Sequence, residues 1–221
     1  MSEIRPDVLI GLPSYDGKYP AYLLSTMNAM MLEAGKQGIR CALKEVQGSN
    51  IARERNIIAS HALRLKANWL LFIDADSVVP RDGLTRLLAH KVNIVSGVYF
   101  GKQAPFGPIA YRKHGDLYGQ ITEMPENTLL DDIDTVGGGF LLINTSVFEH
   151  IKKPWFCFEE NAEAGDVGGE DSYFCHKALR AGYKIHLDTG CLLGHVGEYV
   201  YTIDDWKNYF ESNKGAGESG S

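Results

Sequence analysis

The sequence lacks any apolar run close to the ~18 consecutive residues that indicate a membrane-spanning helix. Its opening residues, MSEIRPDVLI, also lack the basic region followed by an apolar region that marks a signal peptide. These two absences lead us to expect no integral membrane association and a cytoplasmic location.

Cysteine is scarce and follows neither a metal-binding nor a disulfide pattern. The chain has 4 cysteines, none of them in a CxxC pair. Short cysteine spacings mark zinc sites and redox motifs, and dense cysteine frameworks are typical of small secreted domains. We therefore expect reduced and mostly buried thiols at Cys41, Cys157, Cys175 and Cys191.

The chain also has no excess of positive charge. The formal net charge is −6, and its long-range field opposes nonspecific attraction to nucleic acid or to an anionic membrane unless a local basic patch overrides it. With 44% hydrophobic and 23% charged residues in a chain of 221, the composition is that of one globular domain. We place this domain at residues 1–211 and treat residues 212–221, which have linker composition, as a flexible tail outside the fold.

Strand-like and helix-like patterns alternate three times in the first half of the chain. Strands are predicted at residues 7–13, 39–46, 68–73 and 92–100, and helices at 21–35, 51–66 and 82–90. This alternation predicts an α/β fold with a parallel sheet flanked by helices. In the second half, strand-like runs at 108–111 and 135–143 predict antiparallel strands added to that sheet, with one helix at 170–181.

Two carboxylates, Asp74 and Asp76, directly follow the apolar run WLLFI. The C-terminal end of a parallel strand is where α/β sheets bind ligands, so the pair is placed for function. Carboxylate oxygens suit Mg²⁺ or Mn²⁺, and such an ion can bridge two phosphates while neutralising their charge. The alternative is structural: the aspartates begin a loop, and one of them caps the helix near residue 82.

A second acid pair, Glu170 and Asp171, follows two glycines at the start of a predicted helix. Glycine permits a close backbone approach, and acids in the first turn also stabilise a helix. If Asp171 faces the same cavity as Asp76, it is placed to accept a proton from an attacking hydroxyl. The alternative is an acid pair that serves the helix start alone.

His195 is flanked by Gly194 and Gly197. Because these neighbours have no side chains, the imidazole can approach a metal without obstruction, although a lone histidine can equally be structural. Oxygen ligands combined with an imidazole favour Mn²⁺ over Mg²⁺.

Four segments in chain order, ARERN on a helix, DAD after a strand, GGED and a later GHVG, resemble the GT-A superfamily of glycosyltransferases. The resemblance runs from residue 7 to about residue 197 and implies a GT-A fold, a mixed and mainly parallel sheet flanked by helices. GGED followed by a histidine is similar to the β-1,4-galactosyltransferase family. Gly-Gly-Glu with Gly-His-Val is similar to the polypeptide N-acetylgalactosaminyltransferases, which retain configuration, so the resemblance defines the fold better than the stereochemistry.

The resemblance also implies a role for each matching residue. Asp76 and His195 become metal ligands, and Asp74 becomes a ribose or metal contact. In the second acid pair Asp171 becomes the catalytic base, with Glu170 beside it.

The resemblance places the nucleotide base and ribose at the turn formed by Pro13, Ser14 and Tyr15. A tyrosine ring can stack on a base, but Tyr15 can equally be a packing residue of the loop. Trp155 either lines the acceptor site or belongs to the core.

Other donor contacts are implied at the start of the second helix and at a triple glycine. Arg53 and Asn56 share a helix face by their i, i+3 spacing and, with Arg55, lie where the family meets the nucleotide and its phosphates. The alternative is a solvated basic patch. Gly138, in the middle of three glycines, would let a sugar approach the backbone, although such a run also marks a bulge or a tight bend.

Together these residues predict a metal-dependent glycosyltransferase with Mn²⁺ (or Mg²⁺) as cofactor. The expected donor is a nucleotide-diphosphate sugar, UDP first and GDP second, and the expected acceptor is a hydroxyl of a glycan, protein, lipid or modified nucleic acid. Inversion with Asp171 as base is the expected stereochemical course. The polar segment 158–168, next to this base, is expected to form a lid over the donor.

Three other functions are less consistent with the sequence. The QxxRW motif of processive synthases is absent, which argues against a polysaccharide synthase. A sugar-phosphate nucleotidyltransferase would carry a GxGxR-type loop near the N-terminus, and none is present. A noncatalytic nucleotide-sugar binding module would not need the acid pair of GGED.

Overall fold

The computed structural model describes residues 5–103, 105–115, 117–158, 169–197 and 200–213. The helices found there are α1 (Ala21–Lys36), α2 (Ile51–Arg64), α3 (Gly83–Ala89), α4 (Ser146–His150), α5 (Glu170–Arg180) and α6 (Ile203–Asn213). The strands are β1 (Val8–Ser14), β2 (Cys41–Gln47), β3 (Trp69–Ile73), β4 (Ser77–Val78), β5 (Ile94–Val98), β6 (Ala110–His114), β7 (Leu117–Gln120), β8 (Leu129–Ile133), β9 (Thr135–Val136), β10 (Phe140–Asn144), β11 (Ile185–Leu192), β12 (Gly194–Val196) and β13 (Val200–Tyr201).

The central sheet has seven strands in the order β2-β1-β3-β10-β5-β11-β8. Strands β2, β1, β3, β5 and β11 run in one direction, and β10 and β8 run in the other. Two three-stranded sheets, β13-β12-β4 and β7-β6-β9, complete the strand structure of the described ranges. The predicted fold class, a mixed and mainly parallel sheet flanked by helices, is confirmed.

Strand β10 corrects one part of the sequence prediction. The alternation in the first half predicts a continuous parallel sheet, but β10 lies between β3 and β5 and is antiparallel to both. Its sequence, FLLIN, is buried along nearly its whole length. An apolar run of this kind fits the middle of a sheet in either direction, so its composition does not reveal its position.

Helices cover both faces of the sheet, and alternate residues of each inner strand point to opposite faces. In β3, Leu70 and Phe72 pack into the core shared with α2 and α5, whereas Leu71 and Ile73 pack into the core shared with α1 and α3. All four side chains are fully buried. Burial of one such side chain contributes about 1.5–3 kcal/mol. Packing on both faces therefore holds β3 in place, and with it the start of the loop that follows at Asp74.

Several elements of the second half were not predicted or were predicted with different bounds. Helices α4 and α6 have no counterpart in the sequence prediction, and α6 continues past the expected domain boundary at residue 211. The strand expected at 135–143 is divided into β9 and β10 by its glycines. Apart from Phe158, the expected lid at 158–168 lies outside the described residues, as does most of the expected tail.

The structure bears on the expected lack of a membrane-spanning helix and on the expected reduced cysteines. In the described ranges, no helix combines the length and the apolar character needed to cross a membrane. The cysteines are free thiols; Cys175 and Cys191 are buried, whereas Cys41 and Cys157 are partly exposed.

Candidate active site

Strand β3 places Asp74 and Asp76 at the C-terminal edge of the central sheet. A cavity of about 510 Å³, here called the strand-end cavity, opens at this edge. Pro13, Ser14 and Tyr15, from the end of β1 and the loop after it, line the cavity together with the two aspartates. The Tyr15 side chain is 78% exposed, so its ring is accessible to a ligand. The structure thus brings five of the predicted donor-site residues to one cavity.

Arg55 connects the two acid pairs. Its Nη2 donates a hydrogen bond to Oδ1 of Asp74 at 2.8 Å, and its Nε donates to Oε1 of Glu170 at 3.0 Å. Its Nη1 donates to the carbonyl oxygen of Gly138 at 3.2 Å. The Arg55 side chain is only 1% exposed, so water screens these ion pairs weakly. Arg55 therefore holds the loop after β3 and the start of α5 in one charged cluster.

Asp171 lies in the first turn of α5, beside this cluster. Its Oδ2 accepts a hydrogen bond from the backbone N–H of Gly138 at 3.1 Å, and its Oδ1 accepts one from Ser172 at 2.8 Å. Burial and the neighbouring Glu170 carboxylate raise the pKa of Asp171 to about 6, although Arg55 opposes the shift. A carboxylate with a pKa this close to neutrality is suited to accept a proton from a substrate.

The three glycines before β10 are required by the packing of Arg55 and Tyr99. A Cβ atom on Gly138 would lie 2.6 Å from the Arg55 guanidinium, and one on Gly139 would lie 3.0 Å from the Tyr99 ring. The Gly139 N–H also donates to the Tyr99 hydroxyl at 3.2 Å. The close backbone approach is thus explained by the protein's own side chains, and a contact between Gly138 and a donor sugar stays a prediction.

Asp76 lies between two nitrogen groups. Its Oδ2 is 2.5 Å from Nζ of Lys102 and 3.2 Å from Nε2 of His195. Burial alone would raise the pKa of Asp76, but hydrogen bonds and charge from His195 and Lys102 lower it to about 2. Asp76 is therefore ionised throughout the neutral range.

The geometry of His195 suits a metal ligand. Its Nδ1 lies 2.6 Å from the carbonyl oxygen of Phe100, which can only accept, so Nδ1 carries the proton. With the proton of Nδ1 held in this way, Nε2, the nitrogen that faces Asp76, is the one that would offer its lone pair when a metal binds. Adjacent ligands of an octahedral cation with bonds of ~2.1 Å are roughly 3 Å apart, close to the 3.2 Å between Nε2 and Oδ2. Asp76 and His195 fit as two ligands of one divalent cation.

The third predicted ligand is not assembled with these two. Asp74 directs its Oδ1 to Arg55, and burial raises its pKa while Arg55 lowers it in part. Across the described ranges, no group of three or more His, Cys, Asp or Glu side chains is arranged to hold a metal ion. Asp74 as a metal ligand therefore stays a prediction.

Two predicted donor contacts lie away from the strand-end cavity. The Asn56 side-chain amide donates to the backbone of Ala52 and Phe156, and its oxygen accepts from Trp155 N–H at 2.9 Å. Asn56 is thus used to attach the 155–156 backbone to α2, and Arg53 lines a different cavity.

Trp155 belongs to the core. It is 2% exposed, and its Nε1 donates to the carbonyl oxygens of Phe148 and Ile151 at 3.0 and 2.9 Å. With its ring buried and its N–H satisfied, Trp155 presents no surface to an acceptor, so the core alternative is the correct one.

Lys102 and Tyr99 are site residues that the sequence analysis did not identify. Tyr99 directly follows β5 and Lys102 lies three residues further along the chain; β5 ends at the same edge of the sheet as β3. The rule that selected Asp74 and Asp76, polar residues at the ends of parallel strands, would have selected them as well.

Neither a scan against protein-family models nor a search of curated proteins finds a match for this chain. Among solved structures, A197 from STIV aligns with a TM-score of 0.62 and 21% identity over 90% of this chain and 91% of A197. A mutant of Drosophila β-1,4-galactosyltransferase 7, in complex with manganese, UDP-Gal and xylobiose, aligns with a TM-score of 0.48 and 13% identity over 86% and 71% of the two chains. A glycosyltransferase involved in the glycosylation of the major capsid of PBCV-1 aligns with a TM-score of 0.36 and 14% identity over 66% and 68%.

At 21% identity, the similarity to A197 shows a shared fold and nothing of the chemistry. The other two TM-scores are too low to support a further argument. The strand order and the helices on both faces agree with what the sequence resemblance implied. The chain has a GT-A-like fold, with its DAD motif at the C-terminal end of an inner strand of the sheet.

Proposed function

We propose that this chain is a glycosyltransferase that transfers a sugar from a nucleotide-diphosphate sugar to a hydroxyl group of an acceptor. One observation carries the proposal: buried Arg55 pairs with both Asp74 and Glu170. Two segments about a hundred residues apart are thereby joined at the C-terminal edge of the sheet, where α/β proteins bind ligands. Asp74, Glu170 and Asp171 thus gather around one buried guanidinium at this edge, and clusters of this kind are frequent at functional sites.

The nucleotide would occupy the strand-end cavity, with Tyr15 available to stack on the base. UDP is the first expectation and GDP the second, on the basis of the sequence resemblance. Asp76 and His195 would hold Mn²⁺ or Mg²⁺, with Asp74 as a further ligand or a ribose contact. When bound, such a cation neutralises charge on the diphosphate.

The proposed chemistry assigns proton transfer to Asp171. Its carboxylate removes the proton from the acceptor hydroxyl as the oxygen forms a bond to the anomeric carbon. The bond between that carbon and the diphosphate oxygen breaks, and the nucleoside diphosphate leaves with the electron pair. Attack from the face opposite the leaving group inverts the configuration, which we favour because a single base then suffices.

Glu170 and Arg55 contribute by position rather than by contact with the substrate. Glu170 precedes Asp171 in the first turn of α5, and its ion pair with Arg55 fixes the start of that helix. The N–H of Gly138 fixes one carboxylate oxygen of Asp171. Orienting a base in this way lowers the cost of reaching the reactive geometry.

Thermal unfolding with nucleotides tests the donor site directly. The protein is melted with UDP, GDP, CDP or ADP, each with Mn²⁺ and again with EDTA. A ligand at ~100 times its dissociation constant adds about 2.7 kcal/mol to the stability of the folded state. We expect one nucleotide to raise the melting temperature with Mn²⁺ and to lose that effect with EDTA. No metal-dependent shift with any nucleotide would contradict the proposed donor site.

A further inference from the structure

A second cavity, of about 910 Å³, lies on the outer side of α2. We call it the α2 cavity. Its wall on the helix side includes Arg53, Ile57, Ser60 and Arg64, and its opposite wall includes Lys153 and Phe158. The volume is within the range of small-molecule sites.

The charge of this cavity is opposite to that of the whole chain. Among the described residues, its lining carries Arg53, Arg64 and Lys153 and no aspartate or glutamate, although the chain has a net charge of −6. Arg64 donates to His61 and Lys153 donates to Ser60, both neutral partners. None of the three cations forms an ion pair with a carboxylate in the part of the chain that the structure describes. The described part of the cavity lining is therefore positively charged and has no carboxylate partner of its own.

The exposed face of α2 differs from the usual solvated helix face. Such a face normally mixes acids with bases at i, i+4 spacing. The only acid of α2 is Glu54, which is 3% exposed and points away from this face to accept from the Asn50 N–H. Helix α2 therefore presents no exposed acid that could pair with Arg53 or Arg64 along the helix.

The spacing along α2 indicates an extended ligand. Arg53 and Arg64 are 11 residues apart in sequence, which corresponds to roughly 16 Å along the helix at ~1.5 Å per residue. Between them, Ile57 is 39% exposed, and Phe158 across the cavity is 45% exposed. Cations at separate points with apolar surface between them match a chain of rings that carries an acidic group on more than one unit.

The α2 cavity lies next to the strand-end cavity. Asn50 lines the first and Ile51 lines the second, so the two cavities flank the first turn of α2. A molecule bound along α2 would therefore lie with one end near the proposed donor.

We propose that the α2 cavity binds the acceptor and that the acceptor is an acidic oligosaccharide. This inference rests on the proposed glycosyltransferase function. The lining comes from a helix face and an irregular segment, so it offers no strand edge on which a peptide backbone could pair. Guanidinium groups bind carboxylate oxygens in pairs, and the exposed Phe158 ring can cover the apolar face of a sugar.

Titration calorimetry on the full chain tests this site with trigalacturonate, a carboxylated trisaccharide, and with maltotriose, a neutral one. We expect trigalacturonate to bind and to weaken as the ionic strength rises, because screening acts on exposed charges. The variant Arg53→Gln/Arg64→Gln should bind it at least about tenfold more weakly. Arg81→Gln/Arg180→Gln, which changes the net charge equally at positions outside the cavity, should bind it as wild type does.

Three results would overturn the inference. The first is equal affinity of the wild-type protein for trigalacturonate and maltotriose. The second is an equal loss of trigalacturonate affinity in the two double variants. The third is a hexaglutamate peptide that displaces trigalacturonate and binds more tightly than it does. Nucleotide thermal shifts measured on the same proteins separate this inference from the proposed function. If a nucleotide still raises the melting temperature but trigalacturonate does not bind, only the acidic acceptor is contradicted. If trigalacturonate binds but no nucleotide raises the melting temperature, the glycosyltransferase function is contradicted.

Discussion

Lys102 places its ammonium nitrogen 2.5 Å from Oδ2 of Asp76, the same oxygen that faces Nε2 of His195. A divalent cation bound by Asp76 and His195 would have to share this oxygen with Lys102 or displace it. Lys102 thus competes with a metal for the carboxylate. In the absence of metal, it can also supply positive charge at the place where a diphosphate would bind.

The competition predicts how Lys102→Ala changes metal binding. Removing the ammonium frees Asp76, so Mn²⁺ should bind about two- to fivefold more tightly, the size expected from the loss of one partly exposed ion pair. Mn²⁺ binding can be measured by electron paramagnetic resonance, since the free ion gives a strong signal that is lost on binding.

Lys18→Ala is the matched control for this measurement. Lys18 also lines the strand-end cavity, but it pairs with Asp16 and not with Asp76. Its removal should leave Mn²⁺ affinity unchanged. If neither wild type nor Lys102→Ala binds Mn²⁺, the Asp76–His195 site is not a metal site.

A second prediction concerns the pH dependence of transfer. Asp171 acts as a base only when ionised, and its pKa is raised to about 6. The value of kcat/KM should therefore fall about tenfold per pH unit below this pKa and level off above it. The measurement is the release of nucleoside diphosphate from the donor that the nucleotide screen identifies.

Asp171→Asn should lower turnover by at least about 100-fold while the nucleotide thermal shift persists, because the amide cannot accept the proton. Asp16→Asn, an exposed acid of the strand-end cavity, should keep both the turnover and the pH profile. An Asp171→Asn protein with full turnover would exclude Asp171 as the base.

The first half of the fold is predictable from the sequence because its elements are local. Strand β3 is a five-residue apolar run, and α2 begins where Asn50 caps the N–H of Arg53. The position of β10 was not predictable, because its apolar residues fit any inner strand. Its place is decided by pairing with β3 and β5, strands far away in sequence.

The candidate site shows the same division. Asp74 and Asp76 were identified because two carboxylates directly after a buried strand are unusual, and Asp171 was identified because its GGED segment resembles that of a known family. Asn56 was predicted to contact the nucleotide because it shares a face of α2 with Arg53. In the structure, the Asn56 side chain instead binds the backbone of residues 155–156. Which face of α2 meets the site depends on tertiary packing, and the i, i+3 spacing does not contain that information.

A third prediction tests the role of Arg55. Replacing Arg55 with Met leaves Asp74 and Glu170 without their shared cation and removes the contact with the Phe72 ring. Loss of one partner from a buried ion pair costs about 3–5 kcal/mol. Urea unfolding should show a decrease of this size at neutral pH.

Two further variants complete that experiment. Arg55→Lys keeps a positive charge but loses the planar fork, so its stability should lie between those of wild type and Arg55→Met. Arg53→Met, an exposed arginine two residues away on the same helix, should change the stability by no more than about 0.5 kcal/mol. Equal effects of Arg53→Met and Arg55→Met would contradict the bridging role.

A fourth prediction separates a structural role of Asn56 from contact with the nucleotide. Asn56→Ala leaves the N–H groups of Trp155 and Phe156 without their shared acceptor, which should destabilise the protein by about 1–3 kcal/mol. Asn56→Asp keeps an acceptor and should recover part of this loss. Because Asn56 points away from the strand-end cavity, the folded variants should bind the nucleotide as wild type does, measured by calorimetry below their melting temperatures. Unchanged stability with weakened nucleotide binding would restore Asn56 to the donor site.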